Sequence, residues 1–283
     1  MKYENEIPPM KHALSGSGQP LVLVPGGLTG WRSWIAHAAT LAKSWRVIRL
    51  QLHNVKLGLA GAPLPPGYAV AYEVAALGKT LDELAIEQAD IAAWSYGTVI
   101  ALSYALHHPQ RVRSLTLIEP SAYWVLRSRG PLSQEALEEQ KFLQSLAVDN
   151  VGEAQLSDGL HFWKSVPAGT DPRTLPEWPF WSAHRQSLRL ADAEFRHEDS
   201  LDLLHSFDRP VLLVQGEGSN PYTHDIVAVL AEELPHATVT TFPGGHAPHL
   251  ESFQPFLQQF TRFLSERASL ESSGTGNEYE EQR

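Results

Sequence analysis

Ser95 stands in the run Ala93-Trp94-Ser95-Tyr96-Gly97, where the apolar stretch Ala89 to Trp94 gives way to a helical pattern from Tyr96 to Leu106. A serine on so sharp a strand-to-helix turn requires tiny residues two positions before and after it, because the backbone is strained and a larger side chain collides. Ala93 and Gly97 meet that requirement. The turn lifts the Ser95 hydroxyl above the sheet and leaves the Tyr96 amide at the positive end of a helix, where an oxyanion can be held. An unassisted serine hydroxyl is almost unreactive at neutral pH, so this chemistry needs a base, and the chain offers thirteen histidines. His107 and His108 fall at the far end of the helix after Ser95, and His12, His37, His53 and His236 read as residues of surface turns or helix faces. His246 and His249, three residues apart, lack a carboxylate or cysteine at ligand spacing, so no metal or organic cofactor is implied. Cysteine is absent, which excludes disulfides, thiolate-zinc sites and a cysteine nucleophile.

The elements that must position Ser95 show in the apolar pattern. Leu21 to Val24 running into Pro25-Gly26-Gly27, Arg46 to Leu50, Ala89 to Trp94, Ser114 to Glu119, Pro210 to Gln215 and Thr238 to Phe242 read as strands. Helical spacing links Val70, Val74, Leu77, Leu81 and Leu84, recurs around Ile226 to Leu234, and sets Phe256, Phe260 and Phe263 on one face. This alternation predicts an α/β fold, a mostly parallel sheet flanked by helices. Between Pro120 and about Phe207 it stops, and Gly/Pro breaks punctuate a helical segment carrying Trp124, Phe142, Trp163, Trp178, Phe180 and Trp181. The expected organisation is a core domain of residues 1–120 and 208–268, a helical lid inserted over 121–207, and a disordered acidic tail over 269–283. The lid rings either form the insertion's own core or roof an apolar pocket. Leu28, Trp94, Trp124, Trp163, Trp178 and Trp181 are the expected substrate-binding residues.

Apolar residues make up 43% and charged residues 19%, with a mean hydropathy of -0.22. No apolar run approaches the roughly 18 residues of a spanning helix, so a soluble globular chain is expected. With 22 Lys+Arg against 32 Asp+Glu the net charge is -10, which repels phosphate backbones. Neither nucleic acid nor a membrane is expected as a partner. The segment from Met1 to Lys11 has no apolar signal-like region, and the expected location is cytoplasmic.

Three ordered stretches resemble the α/β-hydrolase superfamily, over about Lys11 to Leu264. Ser15-Gly16-Ser17-Gly18-Gln19-Pro20 followed by Leu21 to Gly27 is similar to the strand and turn before the family's oxyanion loop, with Pro25 where many members have His. Ser95 to Pro120, including His108-Pro109-Gln110-Arg111-Val112, is similar to its elbow helix and following strand. Pro243-Gly244-Gly245-His246 is similar to its histidine loop, and the order of Ser before His agrees. The resemblance implies Ser95 as nucleophile, His246 as base, and the Gly27 and Tyr96 amides as the oxyanion hole, each donor contributing roughly 3 kcal/mol.

The third member departs from the common pattern. Most of the superfamily has an aspartate after the strand equivalent to Pro210 to Gln215, but here the loop reads Gly216-Glu217-Gly218-Ser219-Asn220-Pro221. Ser219 occupies the aspartate's place, and an alcohol cannot offset an imidazolium. The family's alternative position is the end of the strand after the elbow helix, where this chain has Glu119, on the same carboxyl edge as Ser95. Several dehalogenases and some lactone-cleaving members resemble this arrangement. A Glu119 that merely pairs at a loop, an Asp225 in the first turn of a helix and Glu217 are the competing assignments.

A serine at the elbow argues against the aspartate-nucleophile chemistry of haloalkane dehalogenases and epoxide hydrolases, which resemble this fold. What remains is a cofactor-free serine hydrolase acting on a small hydrophobic carboxylic ester or lactone through an acyl-enzyme on Ser95. Val24-Pro25-Gly26-Gly27-Leu28 with Glu119 is similar to lactonases that open resorcylic macrolactones. Two alternatives stand beside it: hydrolysis of a carbon-carbon bond in a vinylogous diketone, and a ligand-binding hydrolase-fold protein without useful turnover.

Overall fold

The computed structural model describes residues 7–274, with side chains to residue 266. Seven strands form one sheet: β1 (Lys11–Ser15), β2 (Gln19–Val24), β3 (Trp45–Gln51), β4 (Ala89–Trp94), β5 (Val112–Ile118), β6 (Val211–Gly216) and β7 (Ala237–Phe242). Their order is β1-β3-β2-β4-β5-β6-β7, with β1 antiparallel to β3 and every other pairing parallel. β1, whose Lys11-His12-Ala13-Leu14-Ser15 has no apolar run, is the strand the sequence pattern does not announce. β4 and β5 are buried at every position, the continuous apolar pattern of strands covered on both faces. Alternation divides the core: Val22 and Val24 join one apolar cluster and Leu21 and Leu23 the other.

Helices cover both faces. α1 (Ile35–Leu41) and α2 (His53–Leu59) flank β3, α3 (Val70–Glu83) precedes β4, and α4 (Tyr96–His107) follows it. α4 is buried from Tyr96 to Leu106, so it is apolar on all sides and carries almost no amphipathic character. Between β5 and β6 the chain is helical throughout: α5 (Tyr123–Arg129), α6 (Gln134–Ser145), α7 (Glu153–Phe162), α8 (Trp178–His184), α9 (Ala191–Arg196) and α10 (Leu201–Ser206). α11 (Pro221–Glu233) follows β6, and α12 (Pro248–Glu251) and α13 (Phe253–Gly274) close the chain. α13 continues beyond residue 268, into the segment expected to be a tail, and the remainder of that segment lies outside the described residues. No helix among the described residues is long and apolar enough to cross a membrane.

Two histidines read as surface residues are interior ones. His53 is 3% exposed, and His37 is fully buried beside Trp34, His249, Phe253 and Phe256. The His37 Nε2–H donates to the His249 carbonyl at 3.0 Å. Loss of hydration nonetheless pushes the His37 pKa down to about 4, and burial holds His249 well below its usual value too. Because both stay neutral in the fold while the unfolded chain takes up protons below about pH 6.5, stability is lost as pH falls from 6.5 toward 4. Urea midpoints should therefore decline over that interval. His37→Gln should flatten the decline, and an unchanged slope would remove His37 from the account.

Candidate active site

The site forms where the parallel strands end. β4 runs into Ser95, whose backbone sits at φ 53°, ψ -129°, and the turn is held by the Ser95 amide on the Ile118 carbonyl at 3.0 Å. Such a φ is strained for a residue with a side chain and persists only where the surroundings enforce it. They do so through close packing. A Cβ at Gly97 would overlap the Pro25 carbonyl oxygen, and one at Gly26 would press on the Trp94 ring and the Ser95 Cβ at 3.1–3.4 Å.

His246 arrives from the loop after β7. Its carbonyl accepts the Trp94 indole N–H at 2.7 Å, and its Nε2 lies 2.9 Å from Ser95 Oγ. On the other side Nδ1 lies 3.3 Å from Glu119 Oε2. Glu119 directly follows β5, is 1% exposed, and its second oxygen accepts the Gly216 amide at 2.7 Å. Its φ of 52° is left-handed like that of Ser95. The line hydroxyl, imidazole, buried carboxylate can pass the serine proton to nitrogen and balance the resulting cation.

The competing acids stand elsewhere. Glu217 and Asp225 are exposed. α11 begins at Pro221, earlier than the apolar spacing around Ile226 suggests, so Asp225 lies beyond its first turn, which holds no acid. Ser219 uses its hydroxyl to fasten the histidine loop, donating to the Gly245 carbonyl at 3.1 Å.

Among the described residues, neither the Gly27 nor the Tyr96 amide is spent on a turn or side-chain hydrogen bond. Tyr96 opens α4, where backbone amides lack intrahelical partners. The Gly27 turn after β2 is pinned from behind by a polar cluster that motif reading misses. Asn54 Nδ2 donates to the Gly27 carbonyl at 2.7 Å and to the Ser187 carbonyl at 3.1 Å. Buried Glu73 in turn accepts the His53 and Asn54 amides at 3.1 and 3.0 Å and the Tyr68 hydroxyl at 2.7 Å. Burial pushes the Glu73 pKa up, and these three donors act against it. The signal for this cluster was a carboxylate on the apolar face of the Val70, Leu77 and Leu81 helix.

A cavity of about 150 Å³ opens over Ser95. Leu28 and Trp94 line it from the core, and Trp163 and Trp181 from the segment between β5 and β6. Trp124 and Trp178, expected there, do not. Trp124 is 1% exposed in the apolar core, because α5 packs directly against α9 and α11, and Trp178 packs on the flank of the same core. Leu190 crosses over Gly27, where an added Cβ would meet its Cδ2 at 2.7 Å. Glu194, also unforeseen, lines the cavity, and no Lys or Arg does.

The sequence model of the α/β-hydrolase fold matches residues 19–253. The chain belongs to the α/β-hydrolase family. It is a hydrolase, and curated relatives include a pimeloyl-[acyl-carrier protein] methyl ester esterase of Aeromonas hydrophila, 27% identical over 88% of this chain and 96% of that protein. A 2-hydroxymuconate semialdehyde hydrolase of a Pseudomonas species is 39% identical over 107 residues, which span only 37% of each chain. Among solved structures, a hydrolase from Pseudomonas aeruginosa superposes with a TM-score of 0.72 at 23% identity, covering 89% of this chain and 93% of that one. An enol-lactonase from Burkholderia xenovorans gives 0.66 at 17% identity, covering 90% and 96%. At such identities the likeness is one of fold.

If Asn54 fixes the Gly27 turn, Asn54→Ala should lower kcat about tenfold or more while KM changes little, since misplaced donors act chiefly on the transition state. Steady-state kinetics on a folded variant, checked by its melting temperature, tests this. Unaltered kcat would make the cluster purely structural.

Proposed function

We propose that the protein hydrolyses a small, uncharged carboxylic ester or lactone through an acyl-enzyme on Ser95. The observation that carries this reading is the chain of contacts from Ser95 Oγ to His246 Nε2 at 2.9 Å and from His246 Nδ1 to Glu119 Oε2 at 3.3 Å. Ser95 Oγ attacks the substrate carbonyl as its proton passes to His246 Nε2. The carbonyl oxygen takes up negative charge beside the Gly27 and Tyr96 amides, which supply stabilisation only as that charge develops. Collapse returns the proton to the departing alkoxide, leaving an ester on Ser95. Water then attacks with its proton going to the same nitrogen, and the acid product leaves with Ser95 restored. Glu119 holds the imidazole in the tautomer that exposes Nε2 and balances the cation in both halves. The helical segment of residues 121–207 acts as the lid, with Trp163 and Trp181 against the substrate.

Carbon-carbon cleavage of a vinylogous diketone is the second reading, and the partial match to a semialdehyde hydrolase favours it. Its dienoate substrates carry a carboxylate. A cavity lined by no Lys or Arg, with Glu194 in its wall, disfavours burying that charge, so the ester or lactone reading is preferred. A binding protein without turnover would keep the cavity and leave Ser95 inert.

A fluorophosphonate probe separates these classes. Wild-type protein should acquire one adduct, located on Ser95 by peptide mapping, and Ser95→Ala should neither label nor hydrolyse p-nitrophenyl esters while melting like wild type. A labelled protein that cleaves a dienoate diketone faster than any ester would move the assignment to carbon-carbon hydrolysis. An unlabelled, folded wild type would favour the binding protein.

A further inference from the structure

Glu194 is the side chain in the cavity that the reaction above leaves without a task. It stands in α9, is 8% exposed, and lines the same space as Ser95 and His246. The other carboxylate there, Glu119, is already engaged by the Gly216 amide and the His246 ring. Glu194 has Ser121 as its hydrogen-bonding neighbour. Ser121 owns a single hydroxyl hydrogen, which also has the Ser95 carbonyl within reach at 3.2 Å, so it fills at most one acceptor position of the Glu194 carboxyl and leaves the others on a side chain that lines the cavity. Burial, with the carboxyl of Glu139 adding to it, pushes the Glu194 pKa up to about 8. Glu139 offers no relief, since it is itself enclosed and takes the Tyr123 hydroxyl at 3.0 Å and the Trp163 indole N–H at 2.9 Å. Among the described residues that line the cavity none is a Lys or Arg. A largely buried carboxyl with spare acceptor capacity, in the wall of a cavity that brings it no Lys or Arg, is placed to take a hydrogen bond from a ligand.

We propose that Glu194 accepts a hydrogen bond from a hydroxyl or ammonium group carried by the substrate away from the scissile carbonyl. The cavity thereby selects compact esters or lactones bearing such a donor and rejects those bearing a second carboxylate. The inference rests on the ester or lactone reading and narrows its substrate class. The aromatic rings of Trp163, Trp181 and Tyr123 suit a ring-bearing substrate and, where the donor is ammonium, add cation-π attraction.

Binding of non-hydrolysable probes to the whole protein tests this independently of turnover. Calorimetry would compare p-cresol, 4-methylbenzylamine, toluene and p-toluate, which share a ring and differ in the group at one end. At least one of the two donors should bind about tenfold or more tightly than toluene, with p-toluate weakest, and which donor leads identifies hydroxyl or ammonium as the natural group. Glu194→Met should bring donor and toluene affinities to within about twofold. Glu194→Gln, which keeps volume and an acceptor, should retain a phenol preference and lose an ammonium preference. Equal binding of all four probes, no measurable binding of either donor, tightest binding of p-toluate, or a donor preference that survives Glu194→Met would each overturn the proposal. Since no probe is an ester, a failure of ester hydrolysis would count against the Ser95 mechanism and not against this subsite.

Discussion

The register of three neighbouring strands governs the site. β4 and β5 pair with Trp94 opposite Ile118, and β5 and β6 pair with Ile118 opposite Val214, so Ser95 and Glu119 leave the sheet side by side. The ladder continues one step into the loops, through the Ser95 amide on Ile118 and the Glu119 amide on Val214 at 2.8 Å. Both residues then turn at positive φ. Strain of that kind costs on the order of 1–3 kcal/mol per residue. The fully buried strands β4 and β5 offset it, which is why two strained turns can be held here and not in an isolated loop.

Placing the acid on β5 changes the duties of the loop after β6. On the proposed assignment the loop supplies no carboxylate and acts as a fastener: the amide of Gly216, the last residue of β6, donates to Glu119, and the Ser219 hydroxyl in the loop ties down the carbonyl next to His246. The helical segment after β5 is tied into the same parts. Asn220 donates to the Phe162 carbonyl at 2.8 Å, the Lys164 carbonyl lies against Gly245 so closely that a side chain there would overlap it, and Leu190 covers Gly27. Asn54 joins the Gly27 carbonyl to Ser187 of that segment. Repacking those helices would thus move the Gly27 and His246 loops as well as the cavity wall.

Much of this was legible in the sequence because it depends on local patterns. The six parallel strands follow from short apolar runs, the sharp turn at Ser95 from Ala93 and Gly97 around a serine, and the closeness of Glu119 to His246 from a serine at position 219 with a glutamate directly after β5. The edge strand β1 was hidden because it is short, half polar and held by pairing with β3. The tryptophans between β5 and β6 could not be sorted, since whether Trp181 faces a cavity and Trp124 a core depends on helix packing rather than residue type. Asn54, Glu73 and Glu194 escaped for a related reason: a polar residue on an apolar helix face signals an interior partner without naming it. Solvent-face readings of His37 and His53 failed likewise, as each ring meets its backbone carbonyl partner, on His249 and on Pro8, only in three dimensions.

On the proposed reading the carboxylate of Glu119, directly after β5, serves His246. Its most direct test is kcat and KM of Glu119→Gln beside Asp225→Asn on one ester, with both variants shown to fold. A glutamine preserves shape but cannot balance the imidazolium, so the account predicts a fall in kcat of about 10³–10⁴-fold for Glu119→Gln with KM nearly unchanged, and little effect for Asp225→Asn. A Glu119→Gln enzyme within tenfold of wild type, or an Asp225→Asn enzyme equally impaired, would contradict it.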